Sequence, residues 1–522
     1  MSKSEKCRVA LLARYTARPY VFKGLKSALR ITSIIVVLLL TPAACSHAQN
    51  PRLELGRRLK RFENAWETAH STQRVAAVPF LKTAVRNFFT LRLSEAGRQL
   101  DQAWFAIRDD EASNELTTAL IGSQLIVSPL CAETTDIPLK VRLTPFYPTG
   151  IKPAPQAIAK LKLTRATGEI LAETQFSINQ LVQGASWNIE RMPEGDHLLA
   201  AVIRNDNSAF ALPPITISRI TGLNSRLQQL KDAAVTLKAA ALSTTAQAGD
   251  GTVAATLRDE TRLIENVIAG LPQEADFPLL YRIKSCEALL ANHSKPAGFS
   301  NQSSVANEVW LTLAKGIRSV PTRIHLPKNT NDPAPVLFVF HGAGGSENMF
   351  FETYGAGRVV DEAARRNWIV ISPRQGLFGL TLDTNQMLDA LEAFVPVDRK
   401  RIMLLGHSMG ASQVIKQVRN HPAVPIAAIA LGGGGRLPSS DAKRSQQVAW
   451  YVGAGDQDFG LAAAQQLNQS LAASEVKTRF KVYANVEHLV VVQAAIDDAF
   501  EFLDEVLRKL PYPSDNNTLT SP

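Results

Sequence analysis

Four apolar residues in a row, Ile402–Leu405, run directly into Gly406-His407-Ser408-Met409-Gly410. An unbroken apolar run of this length reads as a strand buried on both faces, as in a parallel sheet covered by helices. The G-x-S-x-G that follows bends such a strand abruptly into a helix. Its two glycines stand where the turn leaves no room for a Cβ. Ser408 is thereby held at the tip, clear of the sheet, and the next backbone N–H, that of Met409, faces the place where a developing oxyanion would gather. A chain with this feature is constrained to alternate strands and helices around it.

The flanking sequence obeys that constraint. Upstream, the apolar run Val336–Phe340 leads into His341-Gly342-Ala343-Gly344-Gly345. Downstream, Val448–Val452 leads into Gly453-Ala454-Gly455-Asp456-Gln457-Asp458, and Phe480–Tyr483 leads into Asn485-Val486-Glu487-His488. Ser, then Asp, then His at the carboxyl ends of successive strands resembles the α/β-hydrolase superfamily. Within it, the chain is most similar to polyhydroxybutyrate-depolymerase-like and feruloyl-esterase-like serine esterases, over residues 305–510 only. The resemblance implies an α/β fold with a doubly wound, mostly parallel sheet. It implies Ser408 as nucleophile, His488 as its base, and Asp456 as the carboxylate that orients the base, with Asp458 in reserve. The oxyanion donors would be the N–H groups of Met409 and Ala343, with no cofactor and no metal. Of the remaining groups, His421 reads as a helix-end or surface residue and Glu487 as solvated, while His341 and His407 brace the two glycine loops. Only about sixteen residues separate Leu431 from Val448, too few for a helical lid, so the site is expected to be open unless the N-terminal regions fold over it.

The implied chemistry is hydrolysis of a small-molecule or polymeric carboxylic ester through an acyl-enzyme. Two other readings stand beside it. One is a serine peptidase of prolyl-oligopeptidase-like type, although no propeller repeat precedes the domain. The other is a binding protein with a vestigial hydrolase domain, although all three members of the Ser-Asp-His set are present.

At 522 residues the chain is too long for one core. Its net charge of +10 is unevenly placed: residues 1–48 hold eight Lys/Arg against one Glu, which leaves about +3 for the rest and no case for nucleic acid. Lys23, Lys26 and Arg30 precede the short apolar run Ile31–Leu40, and Ser46-His47-Ala48 suits a signal peptidase. An export signal cleaved after Ala48 is expected, giving a periplasmic or secreted protein. A lipidated Cys45 and an uncleaved membrane anchor are the alternatives, the run being shorter than the roughly 20 residues of a spanning helix. After cleavage Cys131 and Cys286 remain, either paired or as two buried thiols.

Residues 49–135 carry a helical pattern. Leu55, Leu59, Phe62 and Trp66 fall at i, i+4, i+7 and i+11, Leu100, Trp104 and Ile107 repeat the spacing, and Phe88 and Phe89 lie between. These aromatics read as packing. Residues 136–220 switch to period two, as in Ile137, Leu139, Val141 and Leu143, and read as a small β-sandwich that serves as a spacer or a carbohydrate contact. Residues 221–291 read as a helical hairpin, 292–304 as a linker and 511–522 as a tail. Oligomeric state is not legible.

Overall fold

The apolar stripe at Leu55, Leu59, Phe62 and Trp66 winds into helix α1 (Pro51–Thr68), whose N-cap Asn50 accepts from the Arg52 N–H. All four stripe residues are buried. Helices α2 (Ser71–Phe89) and α3 (Leu93–Ala106) follow; α3 packs on α1, and α2 packs on α3. Between α1 and α3 lies a buried ion pair, Arg58 Nε to Asp101 Oδ2 at 3.0 Å, and the Tyr147 hydroxyl donates to the same carboxylate oxygen at 2.6 Å. A buried charge is tolerated only when so partnered, and these bonds fix the helices to the β-module. The structure, a computed structural model, describes residues 50–108, 114–206, 208–243, 247, 249–292, 307–328, 332–375 and 382–510. The expected leader, all but the first residue of the expected linker, and the expected tail lie outside the described residues.

The β-module holds β1 (Ser123–Ser128), β2 (Cys131–Ala132), β3 (Ile137–Pro145), β4 (Ile158–Arg165), β5 (Ile170–Ser177), β6 (Ala185–Ile189), β7 (Gly195–Asn205) and β8 (Ser208–Arg219). They form two sheets, of order β1-β3-β6 and β2-β8-β7-β4-β5. Ile137, Leu139, Val141 and Leu143 alternate inward along β3, as their period requires. The module begins at Ser123 rather than at 136, because β1 pairs along β3, with Leu125 opposite Leu143 and Val127 opposite Val141. That strand is too short to announce itself between a helix and Pro129.

Three helices rather than two follow: α4 (Leu223–Ala241), α5 (Asp250–Ile268) and α6 (Leu279–Asn292), the last burying Leu279, Ile283 and Leu289. Cys131 and Cys286 are both buried free thiols. Helix α5 covers a sheet edge: Thr256 Oγ1 accepts from the Thr312 N–H at 2.9 Å and Thr252 Oγ1 from the Ala314 N–H at 3.1 Å. Side-chain hydroxyls thereby satisfy donors that an uncovered edge would offer to another chain.

That edge is β9 (Glu308–Lys315), first strand of the C-terminal sheet. With β10 (Arg318–His325), β11 (Ala334–Phe340), β12 (Ile369–Pro373), β13 (Val397–His407), β14 (Pro425–Leu431), β15 (Ala449–Gly455) and β16 (Thr478–Tyr483), it makes eight strands in the order β9-β10-β12-β11-β13-β14-β15-β16. The pairs of β10 with its two neighbours are antiparallel and the rest are parallel. Strands β11 and β15 are buried along their whole length. Helix α7 (Met409–Asn420) leaves the end of β13, and α8 (Val491–Arg508) closes the domain. Residues 48–522 cluster as one unit, so α1–α3 belong to the same body as the sheet.

Candidate active site

The site is assembled at the carboxyl ends of β11, β13, β15 and β16. Ser408 links β13 to α7 with φ 58° and ψ −118°, a conformation that costs a non-glycine residue energy and persists only where the surroundings enforce it. The enforcement is visible in the flanking glycines. A Cβ on Gly406 would lie 2.2 Å from the Gly410 carbonyl oxygen, and one on Gly410 would lie 1.8 Å from that of Phe340. Neither position accepts any other residue. The Ser408 N–H donates to the Leu431 carbonyl at 2.8 Å, which ties the turn to β14. Met409 is the first residue of α7, so its N–H belongs to the unpaired, positively polarised end of that helix beside Ser408. Ala343 stands in the loop after β11 and lines the same cavity as Ser408 and His488.

His488 follows β16 and is buried, and its Nδ1 lies 2.7 Å from Asp458 Oδ1. The carboxylate expected there from the sequence was Asp456, and the structure corrects this. Strand β15 runs on through Gly455, and Asp456 still pairs with β16: its N–H donates to the Tyr483 carbonyl at 2.9 Å. Its exposed side chain accepts from the Asn485 N–H at 2.8 Å. The chain turns only after that, bringing Asp458 back towards His488. Asp458 Oδ1 also accepts from the Gly460 N–H at 2.6 Å. Burial pushes the Asp458 carboxyl up, but the bond from His488, its proximity and the Gly460 N–H outweigh this and hold it below the usual carboxylate range.

Two further histidines are held neutral. Burial drives His407 down to about 3, with the neighbouring His488 adding to the effect. Its Nε2–H donates to the His488 carbonyl at 3.0 Å and fixes the base from behind. His341 falls to about 4, again through burial. Its Nδ1–H donates to the Gly342 carbonyl at 2.8 Å, so Nε2 is the acceptor for the Gln375 N–H at 3.0 Å. Both rings act as struts for their loops. Glu487, expected in solvent, is buried instead and accepts from the Leu489 N–H at 2.9 Å; burial raises its carboxyl to about 7. His421 is half-buried at the end of α7, with Nε2 3.2 Å from Asp383 Oδ2.

The N-terminal helices line one side of the site. Phe88, at the end of α2, packs directly on the loop after β11: a Cβ on Gly344, whose φ is +76°, would meet its ring at 2.7 Å. Phe89 makes an edge-on contact with Phe459 at 6.2 Å between centroids, and Phe459 lies 4.0 Å from the His488 ring. Tyr354, edge-on to His407 at 4.8 Å, completes the floor. The sequence offered Phe88 and Phe89 as helix packing, and nothing in their spacing separates packing from lining a cavity. Tyr354 carried only the signal of the glycine-dense Gly355-Ala356-Gly357 after it.

Sheet order, a serine on an enforced strand-to-helix turn, and Asp and His after the last two strands define the C-terminal region as an α/β-hydrolase domain. Residues 379–499, a span containing Ser408, Asp458 and His488, match the sequence model of the Dienelactone hydrolase family. No curated protein matches the chain in sequence. Among solved structures, a ferulic acid esterase aligns at 20% identity over 38% of this chain and 98% of its own, with a TM-score of 0.35. The feruloyl esterase module from Clostridium thermocellum, complexed with sinapinate, aligns at 18% identity over 41% and 93%, with a TM-score of 0.34. An S-formylglutathione hydrolase from Agrobacterium tumefaciens aligns at 12% identity over 40% and 98%, with a TM-score of 0.33.

Proposed function

We propose that the protein is an exported serine esterase that cleaves carboxylic esters through Ser408, His488 and Asp458. The observation that carries this reading is the buried 2.7 Å contact between His488 Nδ1 and Asp458 Oδ1, with His488 lining the same cavity as Ser408. A carboxylate on Nδ1 leaves Nε2 as the unprotonated nitrogen, which a serine nucleophile requires of its base.

Ser408 Oγ attacks the acyl carbon while His488 Nε2 takes its proton. The N–H groups of Met409 and Ala343 hold the oxyanion; the loss of one such donor costs about 100- to 1,000-fold in rate. The bond to the alkoxy oxygen breaks, His488 returns its proton to that oxygen, and the alcohol leaves. Water then repeats the sequence on the acyl-serine and releases the acid. The basic, apolar leader and Ser46-His47-Ala48 support export, with the mature chain starting at Gln49.

The test is a matched pair of substrates, an ester and the amide of the same acid, assayed with the mature protein and with Ser408→Ala. Turnover of the ester well above the amide, abolished in the variant, supports the reading. Equal rates on both would make the protein a peptidase, and ester turnover that survives Ser408→Ala would remove the serine from the mechanism.

A further inference from the structure

We propose that the N-terminal helices α1–α3 form the acyl-binding pocket, and that the preferred substrates carry a short, uncharged apolar acyl group. The pocket is sized for roughly four to six carbons or one ring, since an apolar cavity of about 150 Å³ admits benzene. This inference rests on the esterase reading and adds the substrate class.

The cavity beside Ser408 has a volume of about 120 Å³. Its reactive end is polar, with Ser408, His488 and the glycine loop after β11. Much of the remaining cavity is walled by the N-terminal helices rather than by the catalytic domain. Leu55 and Leu59 of α1, Ala84 and Val85 of α2, and Ala96 and Leu100 of α3 line it. All six are less than a tenth exposed, so the wall is packed side chain rather than open surface. No carboxylate is among the described lining residues, and the one charged side chain, Arg52, has Glu274 4.0 Å away. A cationic or heavily hydroxylated acyl group would lose its water there with no carboxylate to receive it, and an anionic one would have to draw Arg52 away from Glu274.

The wall is also fixed in place. Glu63 of α1 is fully buried and accepts from the Ala356 N–H at 2.7 Å, just after Tyr354. Lys82 of α2 donates to Gln457 Oε1 at 2.8 Å, one residue before Asp458. Phe88 rests on Gly344, as described. Three contacts on three catalytic loops hold the helices at one distance from Ser408, and so give the pocket a definite depth.

Each methylene that enters an apolar pocket raises kcat/KM by about fourfold, the equivalent of about 0.8 kcal/mol, until the end wall is reached. The experiment measures kcat/KM of the mature protein on straight-chain p-nitrophenyl esters from acetate to dodecanoate. In parallel, the affinity of Ser408→Ala for the same esters is measured calorimetrically. We expect a maximum between butanoate and hexanoate and at least a tenfold fall by decanoate. Ala84→Phe, which fills the wall, moves the maximum to acetate, with the hexanoate-to-acetate ratio falling at least tenfold. Leu59→Ala, which deepens it, moves the maximum to longer chains. The two variants shift in opposite directions, so misfolding of one cannot imitate the result.

A profile flat in chain length, one rising through dodecanoate, or ratios unmoved by both variants would overturn the pocket while leaving the esterase intact. If no ester is turned over but Ser408→Ala still binds the butanoate and hexanoate esters more tightly than the decanoate, the pocket stands and the esterase reading falls.

Discussion

The catalytic sheet and the N-terminal helices line one cavity by opposite means. On the sheet side, position is dictated by backbone. Ser408 stands where it does because no other residue fits at Gly406 or Gly410, and Asp458 because the ladder between β15 and β16 releases the chain only after Gly455. On the helix side, side-chain volume decides: Leu59, Ala84 and Leu100 contribute shape and no hydrogen bond. Damage to the first kind should abolish chemistry, and damage to the second should change what is accepted.

The largest effects therefore belong to the sheet side. Ser408→Ala and His488→Ala should each lower kcat by about 10⁶, and the double variant should be no worse, because the groups act as one unit. Additive losses in steady-state assays would break the scheme. Asp458→Asn should cost about 10⁴ in kcat, whereas Asp456→Asn, whose carboxylate only receives the Asn485 N–H, should stay within a few-fold of wild type. A reversed order in the same assay would restore Asp456 as the orienting acid.

On the helix side the signature is binding. Phe88→Ala removes the ring that rests on Gly344, and should raise KM for the preferred ester about tenfold with a smaller change in kcat. A fall in kcat alone would show that Phe88 positions the loop rather than the substrate.

The smallest effect concerns stability. Burial lifts the Glu63 carboxyl from 4.5 to about 8, partly opposed by the N–H groups of Ala356 and Gly355. The folded chain then holds a proton that the unfolded chain has lost, so stability is undiminished below pH 4.5 and declines as pH rises towards about 8. Glu63→Gln, which carries no such proton, should lack that decline. Urea midpoints at pH 6 and pH 9 should show the variant gaining on wild type at the higher pH; parallel shifts would exclude the linkage.

The sequence disclosed what is local. The elbow, the glycine loop, the strands after it and His488 follow from short patterns, since each depends on a strand's apolar run and the turn that ends it. Asp458 was not separable from Asp456, because both lie just past the same glycines and the choice rests on how far β15 stays paired with β16. Phe88, Tyr354 and Glu63 depend on contacts across as many as 293 residues, as between Glu63 and Ala356, and no local pattern records them. Strand β1 and helix α6 were lost for a simpler reason: a short strand and one more amphipathic segment look like their surroundings.

Everything proposed for this cavity depends on Ser408 being its nucleophile. That role is probed by treating the protein with a fluorophosphonate and mapping the adduct by peptide mass. One stoichiometric adduct is expected on the peptide containing Ser408, slowed by Asp458→Asn and absent in Ser408→Ala. No adduct on folded protein, or an adduct that persists in Ser408→Ala, would contradict it.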